Sequence, residues 1–131
     1  MSGAAASKEE LAARFQRYSD AGSQFDKALD AALGGCVKRH VFLPSGRSVS
    51  TVVGRNADEF IDPEKSYCSC ESYFYGVLSS KSKFCYHLLS HTIAEESGLV
   101  CEVKFDDEEY YGFMRLLALD VLHSREVQQR R

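Results

Sequence analysis

Three cysteines and one histidine form two close pairs in the middle of this 131-residue chain. Cys68 and Cys70 are two residues apart, Cys85 and His87 are two residues apart, and fourteen residues separate the pairs. Three thiolate sulfurs and one imidazole make the tetrahedral donor set that suits zinc, and four protein ligands leave no open position for a reacting water. The spacing therefore predicts one structural Zn²⁺ per chain and no catalytic residue.

Three other interpretations of these residues remain open on spacing alone. His91 lies four residues after His87, hence on the same face of a helix, and could approach the same metal. Spacing favours His87, because it completes the second pair. A redox dithiol at Cys68 and Cys70 is an alternative, but it would leave Cys85 and His87 unexplained. The plainest alternative is that the cysteines are small buried hydrophobic residues.

The two pairs require different backbone conformations to reach one ion. Residues i and i+2 point to the same side of an extended strand, so an extended segment can present Cys68 and Cys70 together. On an α-helix i and i+2 point apart, so Cys85 must precede a helix and His87 must lie in its first turn. The helix that follows is predicted over "HLLSHTIAEE", ending at Gly98.

The segments upstream predict a helix and a hairpin. Ser7 and Glu10 form a capping-box pattern, so a helix should begin near residue 8 and end at Gly34 and Gly35, either unbroken or divided near residues 19–23. Pro44-Ser45-Gly46 predicts a β-turn between two strands. A third strand is expected near residues 60–61 or 66–68, and "ESYFYGVLSS" is compatible with a short helix.

The last segment predicts a helix that is apolar around most of its circumference. Asp106 and Glu109 form a second capping pair ahead of it. Such a helix must be buried on more than one side, so either the first helix wraps it or it offers a contact surface. The organisation is therefore α+β: a helical segment over 1–35, a metal-binding region with a hairpin or three-stranded sheet over 36–98, and a C-terminal helix over 99–131.

Charge argues against a chain that coats nucleic acid. The formal net charge is -3, with +2 over residues 36–91 and -4 over residues 92–131. A weak phosphate-tracking surface in the middle segment is the only such prediction that remains, with six candidate cations: Lys38, Arg39, Arg47, Arg55, Lys81 and Lys83. The aromatic residues around the cysteines are expected to form a small core rather than to stack bases: Tyr73, Phe74, Tyr75, Phe84 and Tyr86.

The remaining cysteines and histidines receive no functional assignment. Cys36 and Cys101 have no neighbouring partner and are predicted to be core residues, and His40 and His123 are predicted to have no role. No stretch approaches the roughly 20 apolar residues that span a bilayer, and the first residues lack the pattern of a signal peptide. We therefore expect an intracellular protein without membrane contact.

The motif as a whole resembles the SWIM-type zinc finger family. The resemblance rests on "YCSC", the polar insert "SSKSKF" and "CYHLL", with "LPSGRSVSTVVG" about twenty residues upstream, which together look like the small SWIM proteins of eukaryotic and archaeal Shu-type recombination complexes. It implies a finger of two strands and a helix, with Cys68, Cys70, Cys85 and His87 as ligands.

The same resemblance implies a function in DNA repair. It suggests a non-enzymatic adaptor that binds a RecA-family recombinase paralogue and promotes homologous recombination, located in the nucleus if eukaryotic and in the cytoplasm if archaeal. Contact with a second copy of the chain, or weak contact with single-stranded DNA, is compatible with it. The alternative function is a stand-alone nucleic-acid-binding zinc finger of a regulatory or mobile-element type.

Overall fold

The fold is mixed α+β, as predicted, with a larger sheet than expected. The computed structural model describes residues 7–54, 58–65, 67–70 and 85–129, the last seven of these as backbone only. The elements are α1 (Lys8–Arg14), a 3₁₀ helix (Gln16–Ala21), α2 (Ser23–Leu33), β1 (Val37–Leu43), β2 (Arg47–Val53), β3 (Asp58–Asp62), β4 (Tyr67–Cys68), α3 (Tyr86–Ser97), β5 (Cys101–Asp106) and α4 (Tyr110–Gln129). Within the described ranges, no helix has the length and apolar character needed to cross a membrane.

The N-terminal segment is divided, as one of the two predictions had it. The Glu10 N–H donates to Ser7 Oγ at 3.1 Å and the Ser7 N–H donates to Glu10 Oε1 at 3.4 Å, so the capping box is present. The chain then passes through the 3₁₀ helix, and Gly22 at φ 64° separates it from α2. A left-handed φ of this kind favours glycine, which explains why the break falls there.

Five strands form one sheet in the order β4-β3-β2-β1-β5. The first four strands pair antiparallel with their neighbours, and the predicted hairpin turns at Gly46, whose φ is 79°. β5 pairs parallel to β1, with Val103 beside His40. The predicted number of strands, two or three, was too low. β5 lies in the segment over 99–131 that was assigned to the C-terminal helix, in the part that comes before the helix itself.

The two faces of the sheet carry different helices. On one, which we call the helical face, Val37, Val52 and Ile61 pack with α1, α2 and α3 into the main core. On the other, the α4 face, Phe42 and Val49 pack with Leu117 of α4. The molecule thus has three layers, and the alternation of side chains along each strand decides which layer a residue joins.

Helix α4 is buried on one side only. Its start is fixed by the predicted Asp106 and Glu109 capping box, by Ser45 Oγ donating to Asp107 Oδ1 at 2.7 Å, and by the Arg47 guanidinium 4.3 Å from the centre of the Tyr110 ring. Leu116, on its outer side, is 67% exposed, so the interpretation that the first helix wraps α4 completely is wrong.

The two remaining cysteines differ in burial. Cys36 is half-buried against the main core, in line with its predicted place there. Cys101 is exposed, and the prediction of a core residue is wrong. The reason is its position at the start of β5, which forms one end of the sheet.

Candidate metal centre

The first pair of cysteines is carried by the end of the sheet opposite β5. Cys68 is the last residue of β4 and lies beside Ile61 of β3, so its side chain points into the helical face. Cys70 follows two residues later, and its N–H lies 3.5 Å from Cys68 Sγ. β4 ends at Cys68 and Cys70 lies in the bend that follows, and the two thiols come to the same side there.

The second pair is carried by the beginning of α3. Cys85 is the N-cap residue with extended backbone (φ -102°, ψ 128°), and His87 is the second residue of the helix. The Cys85 carbonyl accepts from the Leu89 N–H at 3.1 Å, which starts the helical bonding. Both predicted placements are confirmed, and the positive end of the helix dipole lies at the Cys85 sulfur.

Four ligand atoms converge where the two elements meet. The ligand atoms of Cys68, Cys70, Cys85 and His87 all lie within 4.8 Å of one another. Cys85 Sγ is 3.3 Å from Cys70 Sγ and 3.6 Å from His87 Nδ1. Zinc bonds are about 2.3 Å to sulfur and about 2.0–2.1 Å to nitrogen. In a tetrahedron they give a distance of about 3.8 Å between two sulfurs and about 3.6 Å between a sulfur and a nitrogen. These two distances therefore agree with a zinc tetrahedron within roughly half an ångström, and all four donors lie close enough to share one ion.

Burial makes this group of thiols dependent on a cation. The exposed fractions are 1% for Cys68, 4% for Cys70, 3% for Cys85 and 6% for His87. Hydrogen bonds from the Cys68 and Cys70 thiols lower the pKa of Cys85, whereas hydrogen bonding to Cys70 and Cys85 raises the pKa of Cys68. One thiolate is thus stabilised by its protonated neighbours. Only a positive ion can make all three sulfurs thiolates at once.

His91 lies outside this cluster. It is buried on the helical face, where it lines a cleft of about 370 Å³ together with Arg39 of β1 and Glu95 of α3. Burial lowers the pKa of His91. Because His91 faces the cleft and His87 faces the thiols, the structure selects His87 as the fourth ligand.

Comparison with known proteins agrees with this donor set. The chain is 35% identical over 104 residues to the "Zinc finger SWIM domain-containing protein 7 homolog" of Dictyostelium discoideum. The aligned region is 75% of this chain and 65% of that protein, so the chain covers slightly less than two thirds of its relative. The similarity and the ligand cluster support the SWIM-type zinc finger family. No protein-family model and no solved structure matches the chain significantly.

The centre is thus a site for one structural zinc ion. Three thiolates and an imidazole are the soft donors that zinc takes, and with four protein ligands the coordination shell is closed. An N/S donor set of this kind does not suit Mg²⁺ or Ca²⁺, which take oxygen ligands. The ion joins β4 to α3 and so holds the finger's strands against its helix.

Ser69, between the two cysteines of the first pair, positions them in a way that the sequence analysis missed. Its hydroxyl donates to the buried Glu59 carboxylate at 2.8 Å and accepts from the Phe60 N–H at 3.0 Å. The Ser69 N–H in turn donates to the Phe60 carbonyl at 2.9 Å. These bonds fix the turn that carries Cys68 and Cys70. The signal in the sequence that could have revealed this contact was Glu59, a carboxylate at an inward-facing position of β3.

Tyr86 behaves as core, as predicted for the aromatic residues near the site. Its ring centre lies 3.9 Å from that of His87, it packs against the main core, and Lys27 Nζ is 5.9 Å from the ring centre. Burial raises the pKa of its hydroxyl. The other four aromatic residues, at 73–75 and 84, lie outside the described part of the chain.

The predicted nucleic-acid residues are not brought together into one patch, so far as they are described. Lys38 lies on the α4 face and Arg39 on the helical face, where Arg39 forms an ion pair with Glu95. Arg47 stacks on Tyr110. Arg55, Lys81 and Lys83 fall outside the described residues. Direct contact with DNA stays a prediction.

Proposed function

We propose that this protein is a non-catalytic zinc-stabilised adaptor that binds a RecA-family recombinase paralogue and promotes homologous recombination. The observation that carries the proposal is the closed and buried metal centre, whose least buried ligand, His87, is only 6% exposed. A zinc ion with four protein ligands has no position for a substrate or a reacting water. The function is therefore expected on the surfaces that the metal centre holds in place.

The choice of partner rests on the SWIM motif and its surroundings. The relative from Dictyostelium discoideum carries a SWIM domain by name. "LPSGRSVSTVVG" covers the turn after β1 and the whole of β2, and "CYHLL" begins α3. These are the segments that look like the small SWIM proteins of Shu-type complexes, which supports a recombinase paralogue as partner and the location that goes with it: the nucleus in a eukaryote, the cytoplasm in an archaeon.

The outer side of α4 is the surface best suited to a protein partner. It exposes four large apolar side chains, which we call the outer α4 surface: Tyr111 (83% exposed), Leu116 (67%), Leu119 (53%) and Leu122 (59%). Leu117, on the opposite side of the helix, is 7% exposed against the sheet. Exposed Arg115 lies among these side chains on the same side of the helix. Large apolar side chains exposed together on a helix that is already anchored are typical of a protein interface, in which arginine is also common.

The test is binding of the zinc-loaded full chain to the recombinase paralogues of its own source organism. The double substitution Leu116→Glu with Leu119→Glu is expected to weaken the complex at least about tenfold, because it puts charge at the centre of an apolar interface. Leu43→Glu is the control, since Leu43 is an exposed apolar residue (42%) on β1 whose side chain points to the face of the sheet opposite α4. Equal effects of both variants, or no binding to any paralogue, would contradict the proposal.

A titration with single-stranded oligonucleotide separates this function from a stand-alone nucleic-acid-binding finger. The adaptor is expected to bind weakly at low salt and not measurably at physiological salt. Tight binding that falls steeply with salt, in the absence of any paralogue, would favour the alternative.

A further inference from the structure

Among the described residues, β5 pairs with another strand on one side only, so its other side is an open edge of the sheet. This strand is six residues long. Within the described chain, it packs extensively against β1. β4 and the metal centre lie at the opposite end of the sheet. An open edge strand presents a row of unpaired backbone N–H and C=O groups, and proteins usually blunt such edges with proline, bulges, inward-pointing charges or charged side chains, lysine above all. Residues 101–106 contain no proline, and their pairing with β1 runs without a bulge.

The side chains of β5 alternate between an apolar row and a charged row. Cys101, Val103 and Phe105 point to the α4 face, where Phe105 stacks on Phe42 with 5.4 Å between ring centres. Glu102 and Lys104 point to the helical face, and both are exposed. Neither forms an ion pair with any other described residue. The apolar row carries no charge that would stop another strand from adding to the edge.

The charged row is complementary to itself. If a second β5 lies antiparallel beside the first with a two-fold axis at Val103, then Glu102 of one copy stands opposite Lys104 of the other, and the reverse pair forms by symmetry. A two-fold axis can pass through either type of residue pair in an antiparallel ladder, so this register needs no distortion of the strand. The apolar rows of the two copies become continuous across the axis.

We propose that β5 is a homodimer interface, in which two copies of this chain pair antiparallel about Val103 and form one continuous ten-stranded sheet. Backbone hydrogen bonds along the edge hold the two strands together, and the two Glu102–Lys104 pairs set the register. Neither a recombinase partner nor DNA takes part in this contact.

A charge-swap series on the zinc-loaded full chain tests the dimer by sedimentation equilibrium. The wild type is expected to show twice the chain mass of 14.7 kDa at micromolar concentration. Glu102→Lys places lysine opposite lysine, and Lys104→Glu places glutamate opposite glutamate. Each single variant should raise the dimer dissociation constant at least about tenfold. The double variant restores both ion pairs with reversed polarity and should return to within about threefold of the wild type.

The series contains its own controls. The two single variants change the net charge in opposite directions, so a shared loss of dimer cannot come from net charge, and zinc content with circular dichroism checks that each variant is folded. A monomeric wild type, single variants that dimerise as well as the wild type, or a double variant as monomeric as the singles would each overturn the proposal. Species that grow beyond a dimer with concentration would also overturn it, because a two-fold contact closes at two copies.

Discussion

Substituting each of the two neighbouring histidines of α3 separates the metal ligand from its neighbour. His87→Ala should abolish tight zinc binding, and His91→Ala should leave one zinc per chain. Both side chains are buried, 6% and 8% exposed, and both lie on the same helix, so each variant is a control for the other. Only His87 has its Nδ1 near a thiol, 3.6 Å from Cys85 Sγ.

The size of the effect follows from linkage between metal binding and folding. Loss of residues that merely support a ligand lowers metal affinity about 10–100-fold, so loss of a ligand itself should lower it at least about 100-fold. At saturating zinc, a 100-fold weaker site contributes about 2.7 kcal/mol less to the free energy of unfolding. For a chain of this length, each kcal/mol corresponds to roughly 3–5 °C in Tm, so Tm should fall by about 8–14 °C.

The assay is elemental analysis together with thermal unfolding, each with and without a strong chelator. The wild type should lose stability on chelation, and His87→Ala should lose about 2.7 kcal/mol less, because its weakened site contributes that much less at saturating zinc. His91→Ala should cost about 1–3 kcal/mol through lost packing, yet keep the full response to the chelator. A His87→Ala variant that retains one tightly bound zinc, or a His91→Ala variant that loses it, would refute the ligand assignment.

Two further predictions concern stability. Burial, and to a smaller degree Lys38, lower the pKa of His40, whose Nε2 lies 3.1 Å from Thr51 Oγ1. As pH falls, the unfolded chain therefore binds a proton at His40 near pH 6.5, before the folded chain does. The stability that neutral His40 contributes is complete above that pH and is lost as pH falls, by at most about 1.4 kcal/mol per pH unit. The free energy of unfolding in urea should differ less between pH 5.5 and pH 7.0 for His40→Gln than for the wild type. An equal difference in the two proteins would contradict this. Gly98 ends α3 at φ 71° and Gly112 lies inside α4, both with room for a methyl group. Gly98→Ala should cost about 1 kcal/mol and Gly112→Ala should add up to about 1 kcal/mol, and equal signs for the two would rule out the conformational explanation.

The metal centre could be predicted from the sequence because its determinants are local. The i, i+2 spacing of Cys68 and Cys70 requires an extended strand end, and the same spacing of Cys85 and His87 requires a helix start, which is what β4 and the N-cap of α3 provide. Gly98 likewise marks the end of α3 through its left-handed backbone. In each case the relevant residues lie within a few positions of one another.

The missed features depend on contacts between distant parts of the chain. β5 pairs with β1, more than sixty residues earlier, and a parallel pairing leaves no local turn signal in the sequence. Asp106, the last residue of β5, also forms with Glu109 the capping pair ahead of α4, and the whole segment over 99–131 was assigned to that helix. The wrong prediction for Cys101 has the same origin, because a cysteine at a sheet edge differs from one in a core only through the pairing of its strand.

The zinc ligands belong to the same core as the N-terminal helices, which decides what the ion can do. Cys68, Cys70 and Cys85 pack in one cluster with Leu11 of α1 and Leu29 of α2. The ion therefore joins β4 to α3 inside the main core, and does not organise a separate small finger. Because α3 also packs against α2, loss of the ion should loosen the whole helical face. The outer α4 surface and the β5 edge lie on the other face and at the other end of the sheet, so the metal acts on them only through the sheet itself.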